Sequence, residues 1–163
     1  MRVDVHTHVW PDRIASIALD SMTKDLGFDA VAANTVEALK AHMRESGVDK
    51  SVVLGLVERA DQVKRANDWL MSIQDDMVVH FGAIHPDLED KADEVRRLRE
   101  GGIKGIKLHP VVNTFYPDDP KMFSVYEELG EDMVLEIHSG RFPGVDASQP
   151  MYAAPERIKN VVE

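Results

Sequence analysis

Hydrophobic and polar positions alternate along this chain in two periods. Short runs dense in Val, Ile and Leu occupy residues 3–8, 51–57, 77–85, 103–109 and 133–138, each bounded by Gly, Pro or charged residues, and read as strands. Between them apolar residues recur at helical spacing. Val36, Leu39 and Met43 follow Asn34, which with Glu37 forms a candidate capping box, and Gly47 is the stop. Val63, Leu70 and Ile73 share a face, as do Ala92, Val95 and Leu98 ahead of Gly101-Gly102. Phe123, Tyr126 and Leu129 follow the cap-and-proline signal Asp119-Pro120 and end at Gly130. Residues 150–162 read as a further helix.

Strand starts near 51, 77, 103 and 133 give intervals of 26, 26 and 30 residues. Such a βα period predicts an α/β protein with a parallel sheet and right-handed crossovers, either an open doubly wound sheet or a (β/α) barrel. Residues 11–30 break the rhythm. They carry Ile14, Ile17, Ala18 and Met22 at helical spacing between the first strand and its crossover helix, and read as a helical insertion over the C-terminal strand ends. With no linker or low-complexity tract, residues 1–163 read as a single domain.

Composition narrows the function. Nineteen Lys and Arg against 29 Asp and Glu leave a net charge of −10, which opposes nucleic-acid and anionic-membrane surfaces. The absence of cysteine excludes disulfides, thiolate metal sites and Cys nucleophiles. The longest apolar stretch, 52–57, is too short to span a bilayer. Arg2 leads straight into a strand rather than into a leader sequence, so a cytoplasmic location is the expectation.

The chemistry concentrates in histidine. Five of the seven, His6, His8, His85, His109 and His138, fall at C-terminal strand ends, where parallel α/β proteins build their sites. Strand alternation places Asp4, His6 and His8 opposite Val3 and Val5, Lys107 and His109 opposite Ile106 and Leu108, and Val134, Glu136 and His138 opposite Met133, Leu135 and Ile137. The polar faces would share one interior, where charges need partners or a metal. A His-x-His on a strand brings two imidazoles close enough to share one ion, or else supplies two hydrogen-bonded interior residues. With His138 as a third ligand, a divalent metal is expected, zinc first and manganese or iron as alternatives. Water on such an ion titrates near about 7 and becomes a nucleophile. Lys107 could pair with Glu136, bind a substrate anion or, if carboxylated, bridge two metals. His109 is a candidate for substrate contact or catalysis, and Trp10 and Glu136 for substrate binding. His85, beside Pro86, reads as a strand-end structural residue.

Val-Asp-Val-His-Thr-His-Val-Trp at 3–10, Gly-Ile-Lys-Gly-Ile-Lys-Leu-His-Pro at 102–110 and Leu-Glu-Ile-His-Ser-Gly at 135–140 together resemble the amidohydrolase-related branch of the amidohydrolase superfamily. The resemblance implies a TIM-type (β/α)₈ barrel, here about five of its eight units. It implies a metal-dependent hydrolase acting on C–N or C–O bonds of small carbonyl substrates, or an aromatic-acid decarboxylase. By resemblance His6 and His8 match the first-strand ligands and His138 the fifth-strand ligand, and Lys107 lies near a position where some members carry a bridging lysine. The family completes its site with a later histidine and a general-base aspartate. After His138 this sequence holds no histidine and only Asp146 as aspartate. A full barrel takes roughly 250 residues, so strands six to eight are expected to be missing or supplied by another chain. Two alternatives follow: a non-catalytic remnant of the fold, or a phosphoesterase or nuclease with a similar His-x-His start. The open strand edges of a partial barrel lead to the expectation of a homo-oligomer, with a small molecule as the other partner.

Overall fold

The structure, a computed structural model, describes residues 1–24, 33–141 and 148–162. Its elements run β1 (Val3–Thr7), α1 (Asp12–Thr23), α2 (Val36–Ser46), β2 (Lys50–Leu54), α3 (Val63–Ser72), β3 (Val78–Ala83), α4 (Lys91–Glu100), β4 (Gly105–Leu108), α5 (Phe123–Leu129), β5 (Val134–Ile137) and α6 (Pro155–Val162). Single 3₁₀ turns, Ala60–Gln62 and Pro120–Met122, lead into α3 and α5. Each strand hydrogen-bonds to the next, giving the order β1-β2-β3-β4-β5. A doubly wound sheet reverses its order at a switch point. None occurs here, so of the two expected architectures the barrel-type order is the observed one.

The chain divides into two compact units, Met1–Leu54 with Gln74–Val79, and Gly55–Ile73 with His80–Glu163. In the first, β1 and β2 are parallel, with Val3 opposite Lys50, Asp4 opposite Ser51 and Thr7 opposite Val53. Three steps along β1 therefore match two along β2, so β1 carries one extra residue. Helix α2 is capped by Thr35, one residue later than expected. The Thr35 backbone is extended and its hydroxyl accepts from the Ala38 amide, which Asn34 does not. Gly47 closes α2 in the left-handed conformation, with φ 66°. Of the insertion expected over residues 11–30, α1 accounts for 12–23, and the part from 25 onward lies outside the described residues. Val3 and Val5, the apolar side of the alternation in β1, are exposed, Val5 by 64%. They lie on a strand with a partner on one side only.

In the second unit β3, β4 and β5 are parallel, with Lys107 opposite Glu136. Val63, Val95, Leu98, Ile106, Leu108, Met122, Val125 and Leu129 form the centre of one apolar core, and Leu135 and Ile137 pack against it. With the buried Met133 these two form the covered face of β5, as the alternation has it; the exposed residue of β5 is Val134, at 56%. Phe123, expected on the buried side of α5, is exposed, because Met122 and Val125 take that face. Helix α6 starts at Pro155 rather than at 150.

A polar joint fixes α3 and α4 to β3. Buried Asn67 accepts from the Ala83 amide at 2.9 Å and donates to the Ala83 carbonyl at 3.0 Å and to Glu94 at 2.7 Å. Arg97 answers Glu94 with two hydrogen bonds, which keeps that buried carboxylate compensated. Gly82 is a close-approach position: a Cβ there would stand 2.6 Å from the Leu98 side chain.

Candidate functional site

Two groups of polar side chains gather at C-terminal strand ends, one in each unit. In the first unit His6 lies in β1 and His8 just beyond it. Their Nε2 atoms are 3.3 Å apart, with the rings nearly edge to face. His8 Nδ1 is 3.1 Å from the Leu54 carbonyl oxygen at the end of β2. A carbonyl only accepts, so Nδ1 carries the proton, and in the neutral ring Nε2 presents a lone pair. Two nitrogen ligands at about 2.0–2.1 Å around a tetrahedral ion stand about 3.3 Å apart. The pair fits a shared divalent ion in spacing, His8 also in tautomer, and the Leu54 carbonyl is the kind of outer partner that orients a ligating imidazole. Trp10 stands 6.0 Å from the His8 ring, centroid to centroid, and its amide donates to the Asn34 carbonyl. Among the described residues no three His, Asp or Glu side chains gather as a metal cluster.

In the second unit Lys107 in β4 and Glu136 in β5 form an ion pair of 2.8 Å, and Lys107 is 2% exposed. Of the three roles open to Lys107, the structure thus displays pairing. Its register partner across a parallel ladder is Glu136, so both side chains project to one face. One residue past each strand, His109 and His138 stack at 4.1 Å with planes 13° apart. The Val112 amide donates to His109 Nδ1 at 3.2 Å, which leaves the proton of the neutral ring on Nε2.

His85 has the structural character expected of it. Its Nδ1 accepts from the Asp87 amide, its ring hydrogen-bonds to the Glu58 backbone, and burial pushes its pKa below the ordinary 6.5. A groove of about 390 Å³ that no sequence motif announces lies between the loops after β2, β3 and β4, lined by Glu58, Arg59, Asp87 and Thr114 among others. Asn113 braces it, donating to the Val57 carbonyl at 2.9 Å. Thr114 sits at φ 48°, rare for a β-branched residue. The run Val-Val-Asn-Thr offers no glycine to announce that turn. Asp146, the one aspartate after His138, lies outside the described residues. No helix among the described residues is long and apolar enough to cross a membrane.

Among solved structures, an amidohydrolase II superposes with a TM-score of 0.69 at 18% identity, over 92% of this chain and 54% of its own. The 5-carboxyvanillate decarboxylase of Novosphingobium aromaticivorans, with bound manganese and 3-methoxy-4-hydroxy-5-nitrobenzoic acid, gives 0.61 at 22%, over 88% of this chain and 52% of its own. A 2,6-dihydroxybenzoate decarboxylase complexed with 2,6-dihydroxybenzoate gives 0.62 at 16%, over 87% and 52%. This chain therefore spans about half the length of these structures. At such identities the likeness speaks for the fold, a part of a TIM-type (β/α) barrel. No curated protein matches. The family model described as Amidohydrolase matches residues 3–157, a span that takes in the His6–His8 pair, the Lys107–Glu136 pair and the stacked His109 and His138. By that match, and by a strand order that agrees with it, the chain belongs to the amidohydrolase family.

Proposed function

We propose that this chain carries the metal-dependent part of a hydrolase of amidohydrolase type, acting on a C–N or C–O bond of a small carbonyl substrate. The observation that carries the reading is the His6–His8 pair, whose Nε2 atoms stand 3.3 Å apart with the His8 tautomer set by the Leu54 carbonyl. These two imidazoles would hold the ion, zinc first, with manganese or iron as alternatives. The family resemblance adds His138 as a third ligand. When bound, a divalent ion supplies Lewis-acid polarisation of a carbonyl and lowers the pKa of water.

The remaining roles belong to the chain's own side chains. Lys107, fixed in place by its ion pair with Glu136, offers an ammonium to a substrate oxyanion. His109 presents its Nε2 proton for donation to a substrate oxygen or leaving group. Trp10 stands beside the His8 ring with an apolar face, and Glu136 would contact substrate. A second reading, decarboxylation of an aromatic acid, draws on the two decarboxylases among the similar structures.

Elemental analysis of the purified chain, with and without His6→Ala and His8→Ala, tests the metal. Stoichiometric metal in the parent and its loss in the double variant are expected. Unchanged metal content in the double variant would remove the pair from the site. Lactones, amides and aromatic acids assayed with the metal-loaded chain separate hydrolysis from decarboxylation. Metal binding with no turnover on any of them would point instead to a non-catalytic member of the fold.

A further inference from the structure

The extra residue in β1 falls between Asp4 and Thr7, the stretch that contains His6. A bulge of this kind takes one residue out of the ladder, leaves its backbone groups to find other partners and re-aims the neighbouring side chains. The two flanks of this bulge are tied down. Asp4 Oδ1 accepts the His6 amide at 3.1 Å, a local turn of the type short carboxylates favour. On the other side Thr7 Oγ1 donates to the Val52 carbonyl at 2.8 Å. His8 is held from β2 by the Leu54 carbonyl. The amide of His6 is thus held by Asp4, which shares the polar side of the β1 alternation with His6 and His8.

We propose that Asp4 is a positioning residue for the imidazole pair: by taking the His6 amide it holds the bulge, and the bulge sets the His6 ring against Nε2 of His8. The proposal rests on the reading of that pair as the metal-holding one. What the site needs from Asp4 is an acceptor oxygen at Oδ1, not a negative charge. Asparagine supplies the same oxygen without the charge, so the two contributions separate.

The experiment compares the parent chain with Asp4→Ala and Asp4→Asn. Amide hydrogen exchange at His6 is followed by NMR, with the Val53 amide in β2 as the control for global loosening. Zinc affinity is measured by competition with a chromophoric chelator. In Asp4→Ala the His6 amide should exchange about tenfold faster, the size of one ordinary hydrogen bond, with Val53 unchanged. Zinc affinity should fall about tenfold or more, as when outer partners of metal ligands are lost. Asp4→Asn should stay within about threefold of the parent in both, since the acceptor survives. If Asp4→Asn behaves like Asp4→Ala, charge rather than positioning is at work and the proposal is overturned. It is equally overturned if Asp4→Ala leaves both readouts unchanged. Should the parent chain bind no zinc, the metal reading falls by itself, and the exchange pattern at His6 still decides the role of Asp4.

Discussion

Removing Glu136 alone should destabilise the chain more than removing it together with Lys107. The two charges are 2.8 Å apart, the lysine side chain 1% exposed and the glutamate side chain 25%. At an effective dielectric of about 20 the attraction at that distance is about 6 kcal/mol. Most of it offsets the several kcal/mol needed to take the ammonium out of water, so the intact pair is near break-even. Glu136→Leu strands the buried ammonium at a cost of about 3 kcal/mol, the low end for a broken buried pair because water reaches the glutamate side. Lys107→Met leaves a carboxylate that water can still solvate, at about 1–2 kcal/mol. The double variant should sit within about 1 kcal/mol of the parent, a coupling of about 3 kcal/mol. Urea unfolding followed by Trp69 in α3, in a Trp10→Phe background, reads the second unit by itself. Additive losses in the double variant would refute the reasoning. So would a Glu136→Leu chain as stable as the parent, the result expected if Lys107 were carboxylated and relieved by the loss of a neighbouring carboxylate.

Three further outcomes follow from the packing. Gly105→Ala would put a Cβ 2.5 Å from the Val134 carbonyl oxygen and 2.8 Å from the Phe81 ring. The β4–β5 ladder must then shift, at about 2–3 kcal/mol, and an unaltered thermal midpoint would contradict the register. Burial lowers the His85 pKa below 6.5, so the unfolded chain takes up that proton first as the pH falls. Its stabilising contribution is complete above about 6.5 and is lost as the pH drops through the native pKa, so urea midpoints of the parent should fall more steeply between about pH 7.5 and 5 than those of His85→Gln. Parallel slopes would argue against it. Exposed Val3 and Val5 on β1 and Val134 on β5 favour self-association, most simply as a dimer, and sedimentation equilibrium showing one species of 18.3 kDa at micromolar concentration would count against it.

The strands were legible because each buried run is short, β-branched and punctuated. The structure trims them at the end that matters. Gly55 and residues 56–57 leave β2, and Ile84 and His85 leave β3, so four of the five strand-end histidines stand on the first residue after a strand or two residues beyond it. Helix α4 matched its pattern because Val95 and Leu98 dominate its buried side. Helix α5 departed from it because Phe123 competes with Met122 and Val125 for one face, and period alone does not rank them. The Lys107–Glu136 pair was readable as register, since each sits at the same phase of its strand. The bulge in β1 was not readable. Strict alternation has no place for an extra residue, and no glycine marks it.

What distinguishes the strand-end histidines is the backbone group that meets Nδ1. At His8 that group is a carbonyl, which fixes the proton on Nδ1 and leaves the Nε2 lone pair facing His6 Nε2 at 3.3 Å. At His109 and at His85 it is an amide, from Val112 and Asp87, which takes the Nδ1 lone pair and leaves the proton on Nε2. The first arrangement suits Nε2 to accept and the second suits it to donate, from the same side chain at comparable ends of strands. The carbonyl comes from the neighbouring strand, 46 residues away, and the amides from the next two or three residues of the histidine's own loop. Composition and spacing bring imidazoles to the strand ends. Which ring nitrogen keeps the proton is decided afterwards, by how each loop leaves its strand: His109-Pro110 and His85-Pro86 turn back on themselves at once, whereas His8 continues along the edge of β2.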